Sequence, residues 1–581
     1  MGMAILVTNL ANYEPLWVDE GWSMIVTGQE SPVAVTQMVA KDVHPPLYFY
    51  LLYLWRIIAG DSVFAARFLT VLMTLISAAL IYRLGADFFG RFTGGLSATL
   101  YILHDLVIVL GREVRQYPLL QLLTILTVWT YWQFRQNPTR RRGLWIVLSG
   151  SALLWTNYWG GFVLLALALD TLITQRRRIM PYIFVYGLIA LSFVPWLPVL
   201  YAQMTQNVPD GIGHALPATQ GGYEVLAFQL LGRPEWVWGL LMVAGIMFTR
   251  RWRPDQKTLL LGGVVIVPVA LTILINLNYA TLSFRTLSLV IPLVLILVAH
   301  VIGNLHYYGR IVLAAILLVL SVVLTDAQPP VRLPWDEIAD YAHQHSNYDD
   351  AVLIETWFDT YALQYYLEQE GNIAYLPTEI TARERDEAGF VAYLDDALTD
   401  YDGLWAVRFS PFADITPRLV ERGYQLTGRL EWQTEVAPVE LLRFDRPVQA
   451  DSIANFDDVL ALRDGTLIST AESGLGVNLL WEALTQPSQD YFVSVFALTP
   501  DGVLVAQDDA PPFNTATRTW TAGNLYFDPH DLPPLAPGTY DIGVRVYWFT
   551  DATFENIANL PPLNCGADCE FIVLEQVTIH E

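Results

Sequence analysis

Lysine is almost absent: every basic side chain except Lys41 and Lys257 is an arginine. Cysteine is as scarce, with only Cys565 and Cys569 in Asn564-Cys-Gly-Ala-Asp-Cys-Glu570. Two thiols fall short of the four ligands that a structural zinc site wants. The pair therefore reads as one disulfide closing a small loop, which suits a chain end outside the cytoplasm. From Ala327 onward basic charge is thin, 12 residues against 42 acidic ones, a net of −30. That excludes nucleic acid as a partner of this half, because phosphate backbones are held by Lys and Arg. Also missing are a Gly-x-x-x-x-Gly-Lys loop, a His-Glu-x-x-His helix and a Gly-x-Ser-x-Gly elbow, so no bound nucleotide, zinc peptidase or serine hydrolase is indicated. There is no recognisable cleavable signal peptide. Met1–Leu10 is apolar but shorter than the roughly 20 residues a bilayer needs, and it reads as the end of a first transmembrane helix.

What the chain does hold is hydrophobic length. Met1–Asp326 carries 15 acidic and 21 basic residues, a net of +6, so the overall −24 describes neither half. Apolar runs recur at Phe64–Leu84, Thr93–Leu110, Pro118–Phe134, Leu144–Trp155, Gly160–Ile173, Pro181–Leu200, Val237–Phe248, Leu259–Ile275, Phe284–Ile302 and Ile311–Leu324. These predict ten spans, some short enough to be tilted or broken. Alternate loops hold Arg83/Arg91, Arg135/Arg140/Arg141/Arg142, Arg176/Arg177/Arg178, Arg250/Arg251/Arg253/Lys257 and Arg310. By the positive-inside rule these are cytoplasmic, which puts the Asp19 loop, the Arg112–Tyr117 turn, Asn157-Tyr158 and the C-terminal half outside. Pro46–Gly60, rich in Tyr and Trp, suits a helix lying at the interface.

The fold class expected is thus a polytopic α-helical membrane domain over 1–326, followed by two extracytoplasmic domains. Over 327–447, helices near Trp335–His345, Tyr361–Glu370, Glu384–Leu398 and Ile415–Arg422 alternate with strands at Ala351–Glu355, Ile373–Leu376 and Gly403–Val407, an α/β layer pattern. Over 448–581, short alternating runs such as Val477–Trp481, Tyr491–Leu498, Val503–Gln507, Tyr540–Trp548 and Phe571–Ile579 predict a β-sandwich. Asp501-Gly502 reads as a hairpin turn. Trp520, Tyr526 and Trp548 suit carbohydrate binding if exposed, although aromatics on a sandwich are more often core.

The chemistry concentrates in Trp17-Val-Asp-Glu-Gly-Trp-Ser23 and Asp42-Val-His-Pro-Pro-Leu-Tyr48. Adjacent carboxylates Asp19 and Glu20, set among aromatics before a membrane array, can handle a proton, a metal or a sugar hydroxyl. The plainer reading is that they begin an interfacial helix, where acids are favoured. His44 either orients Asp42 or a substrate hydroxyl, or serves the turn made by Pro45-Pro46. Arg112, Glu113, Arg115 and Tyr117 cluster at one hairpin, and Arg285 starts another span on the same side. Arginine offers planar, permanent donors to phosphate; anchoring to headgroups is the alternative. Asp19, Glu20 and His44 are of the right types for a divalent metal, but their spacing matches no metal motif.

The ordered series Leu16-Trp-Val-Asp-Glu-Gly-Trp-Ser, Asp42-Val-His-Pro-Pro-Leu-Tyr, Arg112-Glu-Val-Arg-Gln-Tyr and Asn157-Tyr158 resembles GT-C glycosyltransferases. It is most similar to the family-39-like group related to protein O-mannosyltransferases and the lipid A aminoarabinose transferase. The resemblance implies an enzyme that takes a sugar from a polyprenyl-phosphate carrier and passes it, with inversion, to an acceptor hydroxyl on a lipid, protein or polysaccharide. It implies Asp19 as general base, Glu20 positioning the acceptor or tuning Asp19, and Arg115 and Arg285 stabilising the phosphate leaving group. Asp42, His44, Arg112 and Tyr117 complete the expected donor and substrate site. The chain departs from the family in the helix expected before Asp19 and in having Asn157-Tyr158 where Thr/His-Tyr is common. The other class considered is a non-catalytic membrane protein that binds or transports glycans; its expected mark, broken polar helices at mid-membrane, is less evident than polar span ends.

Overall fold

The computed structural model describes residues 6–7, 10, 15–207, 230, 255–277, 285, 287–324, 332–347, 349–356, 360–371, 373–378, 381, 385–409, 414–448, 451–469, 474–551, 553–563 and 569–580. The chain forms two compact units: Met1–Glu14 with Trp22–Pro330, and Pro15–Gly21 with Val331–Glu581.

The first unit is helical. Helix α1 (Val18–Thr27) begins in the other unit and runs into this one; α2 (Pro32–Ala40) and α3 (Leu47–Ala59) follow. Ser31 caps α2 by accepting the Ala34 N–H, and proline occupies the first turn, where its missing donor costs nothing. In α3 Tyr48, Phe49, Leu52 and Arg56 are buried while Leu54, Ile57 and Ile58 are exposed, the two-faced pattern expected of an interfacial helix. The buried Arg56 ties α3 to α1 by donating to Met24 O at 2.5 Å and Thr27 Oγ1 at 2.9 Å.

Then come α4 (Val63–Phe89), α5 (Arg91–Ile102), α6 (Asp105–Arg112), α7 (Tyr117–Gln136), α8 (Arg140–Thr156), α9 (Gly160–Thr174), α10 (Met180–Phe193), α11 (Leu197–Ala202), α12 (Gln256–Asn276), α13 (Ile291–Gly303) and α14 (Tyr307–Leu324). Among the described residues, α4, the run Met180–Thr205 and α12 are long and apolar enough to cross a membrane, as is the α5–α6 pair if counted as one span. This is a multi-pass membrane protein. One expected span is different in kind: Thr93–Leu110 is two helices, bent by 61°. His104 is extended between them and Asp105 opens the first turn of α6, a position that favours an acid and restarts the helix. Expected span Val237–Phe248 and most of the Tyr201–Glu235 loop lie outside the described residues. Within α4, Thr70, Thr74 and Ser77 bond back to carbonyls of the preceding turn, so each buried hydroxyl is satisfied where water is scarce. Leu6 and Leu10 pack on Val71 of the same helix.

In the second unit, α15 (Trp335–Gln344), α16 (Thr360–Glu370), α17 (Glu387–Ala397) and α18 (Thr416–Glu421) accompany a five-stranded sheet ordered β2-β1-β3-β5-β4. Its β1 (Asp350–Glu355) runs parallel to β2 (Ala374–Leu376) and β3 (Gly403–Arg408). The antiparallel pair β4 (Gln425–Trp432) and β5 (Val439–Asp445) adds an edge beside β3, a hairpin that the sequence pattern did not announce. The α/β elements otherwise sit within three residues of expectation.

Two further sheets make the sandwich. One is β11 (Leu525–Leu532), β8 (Leu475–Ala483), β7 (Leu460–Ser469) and β6 (Ala454–Phe456). The other runs β10 (Leu504–Ala510), β9 (Phe492–Leu498), β12 (Gly538–Phe549) and β13 (Ile557–Leu560), with β14 (Ile572–Ile579) also on β12. Gly502, at φ 79°, makes the turn joining β9 to β10, as Asp501-Gly502 predicts. Trp520 is 1% exposed and stacks on Tyr526 at 4.0 Å, and Trp548 packs edge-on against Tyr491; Trp520 is core, and Tyr526 and Trp548 are half-buried against it. The sandwich and the α/β sheet share Arg443, whose guanidinium lies between Trp405 and Phe527 and binds Asp350 and Asp445. A Cβ at Gly403 would fall about 2 Å from Asp350 and Arg443, so glycine at that position leaves room for the buried network. Cys569 is disulfide-bonded; Cys565 lies outside the described residues.

Candidate active site

The Asp19–Glu20 stretch is not a loop: it is the first turn of α1, the placement that acids favour because unpaired N–H groups and the helix dipole present positive charge there. Asp19 is half-buried. Glu20 is fully buried, and its Oε2 accepts from Arg332 Nη1 at 2.6 Å. Arg332 also donates to the Pro15 carbonyl, and the Leu16 N–H donates to the Tyr366 hydroxyl at 2.9 Å. A Cβ on Gly21 would sit 2.4 Å from the Ala362 nitrogen, so α1 meets the first turn of α16 backbone to backbone. Glu20, expected to position the acceptor or tune Asp19, is ion-paired with Arg332 within the second unit. Arg332 was missed from the sequence because 312 residues separate the partners.

Ser23 follows Asp19 by four residues, hence on the same helical face. It accepts a long hydrogen bond, 3.4 Å, from Arg115 Nη1. Arg115 and Arg285 are 3% and 4% exposed, too enclosed by protein for simple headgroup anchors. They come from different places: Arg115 from the turn between α6 and α7, Arg285 from just before the 3-10 turn Ser288–Val290. Arg285 Nη2 stands 3.7 Å from Glu113 Oε1 and its guanidinium lies 5.8 Å from the centre of the Tyr117 ring. Arg285, Glu113 and Tyr117 are therefore one cluster. Arg112 is half-buried at the end of α6.

Asp42 and His44 occupy the turn between α2 and α3 and touch each other, Nδ1 to Oδ2 at 3.2 Å. Burial raises the Asp42 pKa, but His44 and the positive Arg115 outweigh it and hold the carboxyl below its usual range. Asp42 is accordingly an anion at neutral pH. Beside it is Tyr158, whose phenol is pushed up to about 12 by burial, with the Asp42 charge adding to the rise and the Trp196 bond opposing it. Trp196 Nε1 donates to the Tyr158 oxygen at 2.9 Å, Tyr158 donates to Gln203, and Gln203 Nε2 donates to Val39 O at 3.0 Å. This chain fixes the end of α2, and so the Asp42 turn. Neither Tyr158 nor Gln203 was expected to take part; Gln203 carries no motif that would flag it.

Chemically the first unit thus offers buried guanidinium donors, Arg115 and Arg285, with a held carboxylate–imidazole pair beside Arg115. Such groups bind phosphate oxygens and orient hydroxyls. Among the described residues no three His, Cys, Asp or Glu side chains are grouped to hold a metal ion.

Residues 43–201 match the family model for dolichyl-phosphate-mannose-protein mannosyltransferase. The match takes in His44, Arg112, Arg115, Tyr117 and Tyr158 but not Asp19, Glu20, Asp42 or Arg285. No curated protein matches the chain. Among solved structures, ArnT from Cupriavidus metallidurans bound to undecaprenyl phosphate aligns with TM-score 0.51 at 11% identity, covering 76% of this chain and 96% of that one. The apo state of the same protein gives 0.49 at 11% identity, covering 74% and 94%. Arabinosyltransferase EmbB from Mycobacterium smegmatis gives 0.40 at 11% identity, covering 99% and 64%. Identity this low speaks to fold alone, and only the first score is high enough to use. The first score gives the chain the fold of that glycosyltransferase, a GT-C fold, and residues 43–201 are similar to the mannosyltransferase family.

Proposed function

We propose that the protein transfers a sugar from a polyprenyl-phosphate carrier to an acceptor hydroxyl at the outer face of the membrane, with inversion. The observation that carries this reading is the pair of protein-enclosed arginines, Arg115 and Arg285, in a family-39-like membrane fold. The undecaprenyl phosphate bound to ArnT supports the donor class. The arginine-rich loops of one parity support the orientation, by the positive-inside rule.

The acceptor oxygen attacks the anomeric carbon from the face opposite the phosphate. The new C–O bond forms as the bond to the phosphate oxygen breaks, and its electron pair leaves with the lipid phosphate. Arg115 and Arg285 offset the charge that develops there. Asp19 takes the acceptor proton as its oxygen loses electron density. Asp42, already an anion, orients His44 or a sugar hydroxyl. The test is transfer by the purified full-length chain, using a panel of polyprenyl-phosphate sugars with mass-spectrometric analysis of acceptors. One member of the panel should be turned over. Donor binding without turnover across the whole panel would favour a non-catalytic glycan or lipid binder instead.

A further inference from the structure

We propose that Glu20 and Arg332, helped by Tyr366 and Gly21, form a positioning device that fixes the first turn of α1 and thereby aims Asp19. The inference rests on Asp19 being the base.

Three contacts, all inside the second unit, converge on a seven-residue segment, Pro15–Gly21. On one side of Asp19 the Leu16 amide is held by Tyr366 of α16. On the other, Gly21 lies so close to Tyr361 and Ala362 that any side chain would collide with backbone. Between them Glu20 is bound by Arg332, which also holds the Pro15 carbonyl. Arg332 is the first described residue after α14 and precedes α15 by only two residues. Pro15–Gly21 therefore packs with residues of its own unit that follow α14 in the chain. A buried ion pair is a costly way to gain stability alone, since desolvation offsets much of its attraction. It fixes geometry here because one guanidinium nitrogen, Nη1, bonds both the Glu20 carboxylate and the Pro15 carbonyl. Glu20 in this arrangement has its carboxylate turned to Arg332 rather than offered to an acceptor.

The experiment uses full-length protein with a donor that the wild type accepts. Glu20→Gln and Arg332→Gln should each lower kcat by about 10–100-fold, the scale expected when a reacting group is misplaced by an ångström, with donor KM changed less than threefold. The double variant should fall no further than either single one, as partners in one device do. Arg332→Lys should recover part of the loss. Tyr366→Phe, which removes one hydroxyl and keeps the ring, should lower kcat severalfold and decides the matter if the charge variants do not fold. A Glu20→Gln effect confined to acceptor KM, additive losses in the double variant, or wild-type kcat in Tyr366→Phe would each overturn the proposal. Asp19→Asn separates its failure from that of its premise: if Asp19→Asn is inactive while Glu20 and Arg332 do not couple, only the positioning proposal falls.

Discussion

At the scale of single residues, burial decides which charges are chemistry and which are architecture. His530, in β11, is 1% exposed and held between two carboxylates, Nδ1 to Asp508 at 2.9 Å and Nε2 to Asp528 at 3.1 Å. Burial would lower its pKa, but Asp528 and Asp508 prevail and push it up to about 10. Raised above its unfolded value near 6.5, this group contributes stability that is complete below about pH 6.5 and is lost as pH rises through about 10. Thermal unfolding of the full chain should weaken over that window, and His530→Gln should flatten the dependence and cost about 3 kcal/mol. A pH profile unchanged by His530→Gln would contradict this. Arg285→Ala should raise donor KM at least tenfold, with Arg285→Lys less affected; unchanged donor dependence would remove Arg285 from the site. Residue types were legible beforehand, but partners were not. Asp42 with His44 is a two-residue spacing, whereas Glu20 with Arg332 and Arg285 with Glu113 are contacts made only by folding.

At the scale of elements, glycine sets how closely the first membrane helices approach. A Cβ on Gly94 of α5 would lie 2.5 Å from Tyr82 O of α4, while Gly95 beside it has open space around it. Helices in lipid gain by close packing through small residues. Gly94→Leu should therefore lower the thermal midpoint of the detergent-solubilised protein by an amount corresponding to about 1–3 kcal/mol, and Gly95→Ala should leave it unchanged or higher; equal effects would refute the role of the contact. Periodicity announced most described helices of the membrane half and the sandwich strands β8, β9, β10, β12 and β14, because their apolar faces repeat at 3.6 or 2 residues. It missed the bend before Asp105, since apolar residues continue on both sides of it. It missed β4 and β5 as well: Arg429, Glu431 and Glu440 make their strands look like polar surface, yet the pair completes the sheet beside β3.

At the scale of the whole molecule, the split in charge, +6 before residue 327 and −30 after it, matches the division into a helical membrane unit and a β-rich one. The division is not quite at that residue, because Pro15–Gly21 belongs with the later unit. No feature of the sequence marks that exchange; it follows from a glycine and a buried ion pair. The proposed orientation makes its own prediction. A cysteine introduced at Asp501, on the β9–β10 hairpin, should react with a membrane-impermeant thiol reagent on intact cells. Reaction only after lysis would invert the topology and place the C-terminal unit inside.

In the proposed reaction Asp19 carries the proton of the transfer step. The direct measurement is kcat for sugar transfer from a polyprenyl-phosphate donor by Asp19→Asn, beside its donor affinity. Loss of kcat by about 10²–10⁴-fold with donor binding retained is the expected result. Transfer within twofold of the wild type would contradict the account.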